Sequence, residues 1–152
     1  LLVDGPWLVD MGGQIMVHGA PPGATGWRVA VARPDGRTQA AFEMRLGSGT
    51  ISTSGGSERD RVVGDRRVPH ILDPRSGRSA KFGGSVSVWH ERGLAADILS
   101  TALFVMGPEE GLRWANARDI AACYLQVDPS RPGLSAQATT SWRRLFPGAA
   151  RC

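Results

Sequence analysis

Asp97 and Thr101 are the two residues whose types and spacing point most directly to chemistry. They lie four apart in a stretch from Gly93 to Gly107 that reads as a helix, apolar nearly all round. A helix stacks positions i and i+4 on one face, so a carboxylate and a hydroxyl would project together. Leu94 and Phe104 fall close to that face, which predicts a partly buried carboxylate in need of a partner. A hard cation held by the carboxylate and the threonine oxygen would meet that need. A plainer account competes. Asp97 lies about one turn from the expected helix start, where exposed N–H groups favour acids. Thr101 can simply bond back to the carbonyl of Asp97. On this segment alone the plainer account is favoured.

Two other places carry chemical groups. Thr53-Ser54-Gly55 offers small hydroxyls and bare backbone N–H groups; such loops can cradle phosphate, though more often they are turns. His70 precedes Ile71 and stands two residues from Leu72, on what reads as a short strand. A lone His is usually structural, but beside a phosphate and a metal it could act as an acid or base. Asp73 is expected to bond backbone N–H groups in its own turn. His18 and His90 read as structural. Glu109 and Glu110 follow Pro108, where they suit a helix start. No serine-protease order, Gly-x-Gly-x-x-Gly or Walker-type loop is present.

The elements that must position these groups are short and mostly extended. Trp7–Asp10 and Gln14–Val17 read as strand pieces around Gly12-Gly13, where glycines allow a close backbone approach. Trp27–Val31 and Ala40–Leu46 alternate, predicting a hairpin across Pro34-Asp35-Gly36. Gly49–Thr53 is a strand running into Ser54-Gly55. Residues 59–68 are charged and read as a connecting ribbon. Pro69–Gly77 is a short strand entering a turn. Ser85–His90 alternates, and Gly107-Pro108 should stop the helix. A shorter helix from Glu109 to about Ala115, a strand over Ala121–Val127, a partner over Ser135–Thr140 and a terminal helical turn at Trp142–Phe146 complete the chain. The five tryptophans are spread along it and read as core.

Length and composition bound the answer. The chain has 152 residues, enough for one domain with a real core. Its 20 glycines and 10 prolines favour many short strands over a helical bundle. The net charge is +4, and Lys81 is the only lysine. Charges alternate in sign, as in Glu58-Arg59-Asp60-Arg61, without a basic stripe, which argues against nucleic acid. Cys123 and Cys152 form neither a disulfide framework nor a zinc spacing. No apolar run approaches the ~20 residues that span a bilayer. The chain opens Leu1-Leu2-Val3 without Met, so it is expected to be a processed or truncated product.

Taken together, these stretches resemble a known family, the ApbE flavin transferases. Val9-Asp10-Met11-Gly12-Gly13-Gln14-Ile15 is similar to its VDLGG-D-I segment, and Ile51-Ser52-Thr53-Ser54-Gly55 to its ATSG segment. His70-Ile71-Leu72-Asp73-Pro74-Arg75-Ser76-Gly77 resembles its HIIDPRTG signature, with Ser85–Val88 matching the strand after it. Ala96–Gly107 resembles its ADALSTALFVLG helix. Order and spacing agree from about residue 3 to residue 127.

The resemblance implies an α+β fold: a strand-rich antiparallel or mixed sheet packed on a buried central helix, ApbE-like and related to the T-fold. Residues 1–152 would be the C-terminal part of such a domain, incomplete at the N-terminus. It implies Mg²⁺-dependent transfer of FMN from FAD, through a phosphoester, to a Thr or Ser of a target flavoprotein. Asp97 and Thr101 match the metal pair. His70 matches the residue thought to activate the acceptor hydroxyl. Ser54, Gly55, His70 and Ile71 would contact the flavin nucleotide. Relatives of this kind are often exported lipoproteins. That places the protein in the bacterial periplasm or on the outer face of the cytoplasmic membrane, with the cytoplasm as alternative, and allows a lipid anchor in a missing N-terminal segment. An exposed half-domain could also form a homodimer. Two rivals are a Mg²⁺-dependent FAD diphosphatase giving FMN and AMP, and a non-catalytic flavin-binding fragment. The chain departs from the family pattern in its length, in Gly56-Ser57 after the Ser-Gly pair, and in Pro69 before the His.

Overall fold

The computed structural model describes residues 4–55, 61–63, 66–127 and 133–149. Its frame is a six-stranded, wholly antiparallel sheet. The strands are β1 (Trp7–Asp10), β2 (Gln14–His18), β5 (Ser48–Gly55), β10 (Ser85–His90), β11 (Ala121–Val127) and β12 (Leu134–Ala138), in that spatial order. A hairpin of β3 (Trp27–Arg33) and β4 (Gly36–Leu46) covers one face, as the alternation predicts. Helix α1 (Gly93–Asn116) covers the other, and α2 (Thr140–Leu145) closes the end of the hairpin side. Two small ribbons, β6 (Arg61–Val63) with β7 (Arg66–Val68) and β8 (Leu72–Asp73) with β9 (Arg78–Ser79), lie between β5 and β10 in sequence. Part of the expected 59–68 ribbon, and Gly56-Ser57, lie outside the described residues.

The apolar run of β11 follows from its place. A strand sends alternate side chains to opposite faces. Ala121, Cys123 and Leu125 join the hairpin-side core with Val31, Leu46 and Trp142, while Ala122 and Tyr124 join Val86, Val88, Leu103 and Phe104 under α1. A strand buried on both faces has no polar positions to spare. Of the tryptophans only Trp142 is fully buried; Trp7, Trp27, Trp89 and Trp114 are half-buried.

Helix α1 bends where the sequence predicts a stop. Gly107 leaves helical geometry at φ 75°, ψ 173°, and Pro108 opens the second segment. Proline has no N–H to give the preceding turn. The hydroxyl of Tyr124 reaches across from β11 to the carbonyl of Leu103 at 2.7 Å. Burying Phe104 on this face contributes about 1.5–3 kcal/mol.

Candidate functional site

A cleft of about 790 Å³ opens at the end of the sheet where the β1–β2 turn, the end of β5 and the start of β10 meet. The turn is built by its glycines. Gly12 and Gly13 take φ of 69° and 92°, a region side chains disfavour. Asp10 Oδ1 accepts from the Gly12 N–H at 2.9 Å, and Thr53 N–H donates to the Gly13 carbonyl at 2.7 Å, tying the turn to β5. Gly55 adds a second bare stretch of wall.

Every residue singled out for chemistry lines this cleft: Ser54, Gly55, His70, Ile71, Asp97 and Thr101. Ser52 and Ser54 lie two apart on β5, so both face α1. Ser52 Oγ donates to Asp97 Oδ1 at 3.4 Å, and Ser54 Oγ meets Thr101 Oγ1 at 3.2 Å. Behind them, fully buried, Ser100 Oγ lies 2.9 Å from Ser54 Oγ and 3.3 Å from Ser52 Oγ. Gln14 Nε2 donates to the carbonyl of Gly93 at 3.0 Å, fixing the first turn of α1 against β2.

Three expectations need correction. Asp97 is exposed, not partly buried, and does not cap the helix, whose N-cap is Arg92. Ten residues separate Leu94 and Phe104 by about 15 Å along the axis. Phe104 is over the core, whereas Leu94 is 68% exposed beyond it. Second, Thr53-Ser54-Gly55 is not a loop. It is the end of β5, and it pairs with Ser85–Ser87 of β10. Pairing with β10 holds this stretch extended, so it presents its hydroxyls to the site from a strand. Third, His70 sits in an exposed bend after Pro69, with the strand starting at Leu72; Ile71 beside it is buried.

The turn after His70 is held as its chemistry predicts. Asp73 Oδ1 accepts from the Arg75 N–H at 2.9 Å, and the Asp73 carbonyl accepts from Gly77 N–H at 2.8 Å. The Arg75 guanidinium hydrogen-bonds Asp73 and holds its carboxyl below the usual carboxylate range. Arg75 also reaches Glu110 on α1 at 3.5 Å, linking the turn to the helix. Thr101 Oγ1 does bond back to the Asp97 carbonyl, at 3.2 Å.

The donor set suits a small hard cation. Asp97 has no ion-pair partner among the described residues, although its carboxylate faces the cleft. Asp97 and Thr101 offer only oxygen. No group of three or more His, Cys, Asp or Glu that could hold a metal occurs among the described residues. Two protein oxygens fit Mg²⁺, which keeps waters or substrate oxygens as its other ligands, better than Zn²⁺. Ser52, Ser100 and Gln14, which hold or back the candidate site, carry no functional signal of their own in the sequence reading. The signal for Ser52 was the pair of serines on the inward face of a strand.

The ApbE family model matches residues 5–125. This chain belongs to the ApbE family. Its relatives include the FAD:protein FMN transferase of Vibrio cholerae, 30% identical over 139 residues, covering 90% of this chain and 41% of the relative. That of Rhodobacter capsulatus is 35% identical over 119 residues, covering 76% and 22%. Among solved structures, the ApbE protein of Thermotoga maritima superposes with TM-score 0.77 at 28% identity, over 93% of this chain and 44% of that one. The apo flavinyl transferase ApbE of Pseudomonas stutzeri gives 0.72 at 32%, over 93% and 43%. The strand-rich ApbE fold is thus present, and the chain spans less than half the length of these ApbE relatives.

Proposed function

We propose that this chain carries part of the active site of a Mg²⁺-dependent FAD:protein FMN transferase. The observation that supports it is the convergence of Asp97, Thr101, Ser54, His70 and Ile71 on one cleft. Asp97 and Thr101 would hold the cation, which when bound neutralises diphosphate charge and orients it. Ser54, Gly55 and Ile71 would line the path of the flavin nucleotide. His70 would take the proton of an acceptor Thr or Ser hydroxyl at an imidazole nitrogen. The freed oxygen forms a bond to the FMN phosphorus as the bond from that phosphorus to the bridging oxygen breaks, and AMP leaves with that oxygen. FAD and a target flavoprotein are the implied partners, and the bacterial envelope is the implied location.

The exposure of His70 favours one second reading. Water can reach the same position, which would make the reaction a hydrolysis of FAD to FMN and AMP. The test is the intact mass of a flavoprotein domain after incubation with FAD, Mg²⁺ and this chain, with a full-length ApbE relative as control. A gain of one FMN with this chain supports transfer by a sufficient site. A gain with the control alone keeps the family function and makes this chain a fragment without a sufficient site. Free FMN and AMP without labelled protein would replace transfer by hydrolysis.

A further inference from the structure

Ser100 is the buried centre of a closed set of hydroxyls, and nothing in the proposed reaction uses it. Its Oγ reaches Ser54 Oγ at 2.9 Å, Ser52 Oγ at 3.3 Å and the Asp97 carbonyl at 3.0 Å. Among the described residues Ser54 Oγ reaches two hydroxyls, those of Ser100 and Thr101. Each hydroxyl has one hydrogen to give and two lone pairs. That count decides how the set can be arranged around a cation.

A cation on Thr101 Oγ1 needs a lone pair there, so the Thr101 hydrogen must point away from it. The Asp97 carbonyl at 3.2 Å takes that hydrogen. Ser52 gives its hydrogen to Asp97 Oδ1. The hydrogen of Ser54 is the one with a choice. Given to Thr101, it fills one of that oxygen's two lone pairs and sets a positive hydrogen beside the cation. Given to Ser100, the shorter contact, it leaves Thr101 free. Ser100 can accept it because its own hydrogen has two outlets, the Asp97 carbonyl and Ser52 Oγ.

We propose that Ser100 is a positioning residue for the cation site: it draws the Ser54 hydrogen away from Thr101 and so keeps both Thr101 lone pairs open. The inference rests on the reading of Asp97 and Thr101 as the metal pair. Partners that orient metal ligands commonly change affinity by about 10–100-fold, and a hydroxyl acting through a second hydroxyl belongs at the lower end.

The test is Mn²⁺ binding to this chain, with Mn²⁺ alone as probe, read by the loss of the free-ion electron paramagnetic resonance signal. Among the described residues Ser100→Ala leaves Ser54 no acceptor but Thr101, and affinity should fall about tenfold with the thermal melt little changed. Ser54→Ala removes the competing hydrogen and should bind at least as well as the unsubstituted chain. The double variant S54A/S100A should recover most of the affinity that S100A loses. A merely structural Ser100 makes the double variant no better than S100A, which overturns the inference. Should S100A not fold, weaker binding by S54A overturns it equally. Binding that is lost in Asp97→Asn but unchanged in S100A leaves the metal pair standing and removes Ser100. Binding unchanged in Asp97→Asn, or absent from the unsubstituted chain, sinks the metal pair and this inference with it.

Discussion

The hydroxyl of Tyr124 donates to the main-chain carbonyl of Leu103 at 2.7 Å, one turn before α1 bends. The bend at Gly107-Pro108 disturbs the helical ladder there, and the tyrosine supplies a donor from the sheet. Burial, and secondarily the negative charge of Glu110, push the phenol well above its ordinary range, so it remains a donor throughout physiological pH. Tyr124→Phe would leave the buried carbonyl without this partner. The expected cost is about 1–3 kcal/mol, read as a lower urea midpoint at unchanged slope.

Gly111 makes room for that tyrosine. A methyl group at Gly111 would collide with the Tyr124 hydroxyl oxygen. Gly→Ala inside a helix ordinarily stabilises by about 1 kcal/mol. Here Gly111→Ala should destabilise by about 1–3 kcal/mol. A thermal melt giving a higher midpoint would contradict the packing described.

Asp97→Asn keeps the shape of the side chain and removes its charge. Asp97 is exposed and has no ion-pair partner among the described residues. Folding stability should therefore change by less than about 0.5 kcal/mol. Saturable Mn²⁺ binding should disappear. A large loss of stability with cation binding intact would show the residue to be structural.

Asp73 gives the turn after His70 an acid limit. Its folded value lies below the ordinary 3.8, so its contribution is fully present above that value and is lost as pH falls through the lower folded value. Asp73→Asn should flatten the acid side of the stability curve as pH falls below the ordinary carboxylate value of 3.8. In the unsubstituted chain the Arg75 and Gly77 amide resonances should shift over the same range. An unchanged acid slope in the variant would refute the clamp.

Ser85 lies on the opposite sheet face from Ser54, lines the cleft, and has a buried hydroxyl with no hydrogen-bond partner among the described residues. An unsatisfied buried hydroxyl costs about 1–3 kcal/mol. Ser85→Ala should raise the melting midpoint of the unliganded chain. A drop in stability would mean that the hydroxyl has a partner.

Much of the fold was readable because its signals are local. The alternation of Trp27–Val31 and Ala40–Leu46 set the hairpin, and Gly107-Pro108 marked the bend. Burial was harder to read. Whether Asp97 is covered depends on how far α1 overhangs the sheet, which its own periodicity does not encode. The Thr53-Ser54-Gly55 loop became strand because β10 supplies a partner for it, a contact set by residues thirty positions away. His70 left the strand because the paired segment, closed by the Ala80 N–H bond to the Ile71 carbonyl, stops short of it. Ser100 was invisible for a related reason. A serine in an apolar helix is ordinary until the strand serines beside it are known.

The placing of β5 has a kinetic consequence. Its neighbours in the sheet are β2 and β10, and neither adjoins it in sequence. Asp97 and Thr101 form a local pair that exists as soon as one helical turn closes. Ser52 reaches Asp97 only across 45 residues, so its loop must close first. During folding the proposed metal pair would therefore be assembled early and its hydroxyl backing late. If that pair holds a cation, one present in the refolding buffer would meet a floppy two-oxygen site before it meets the rigid one.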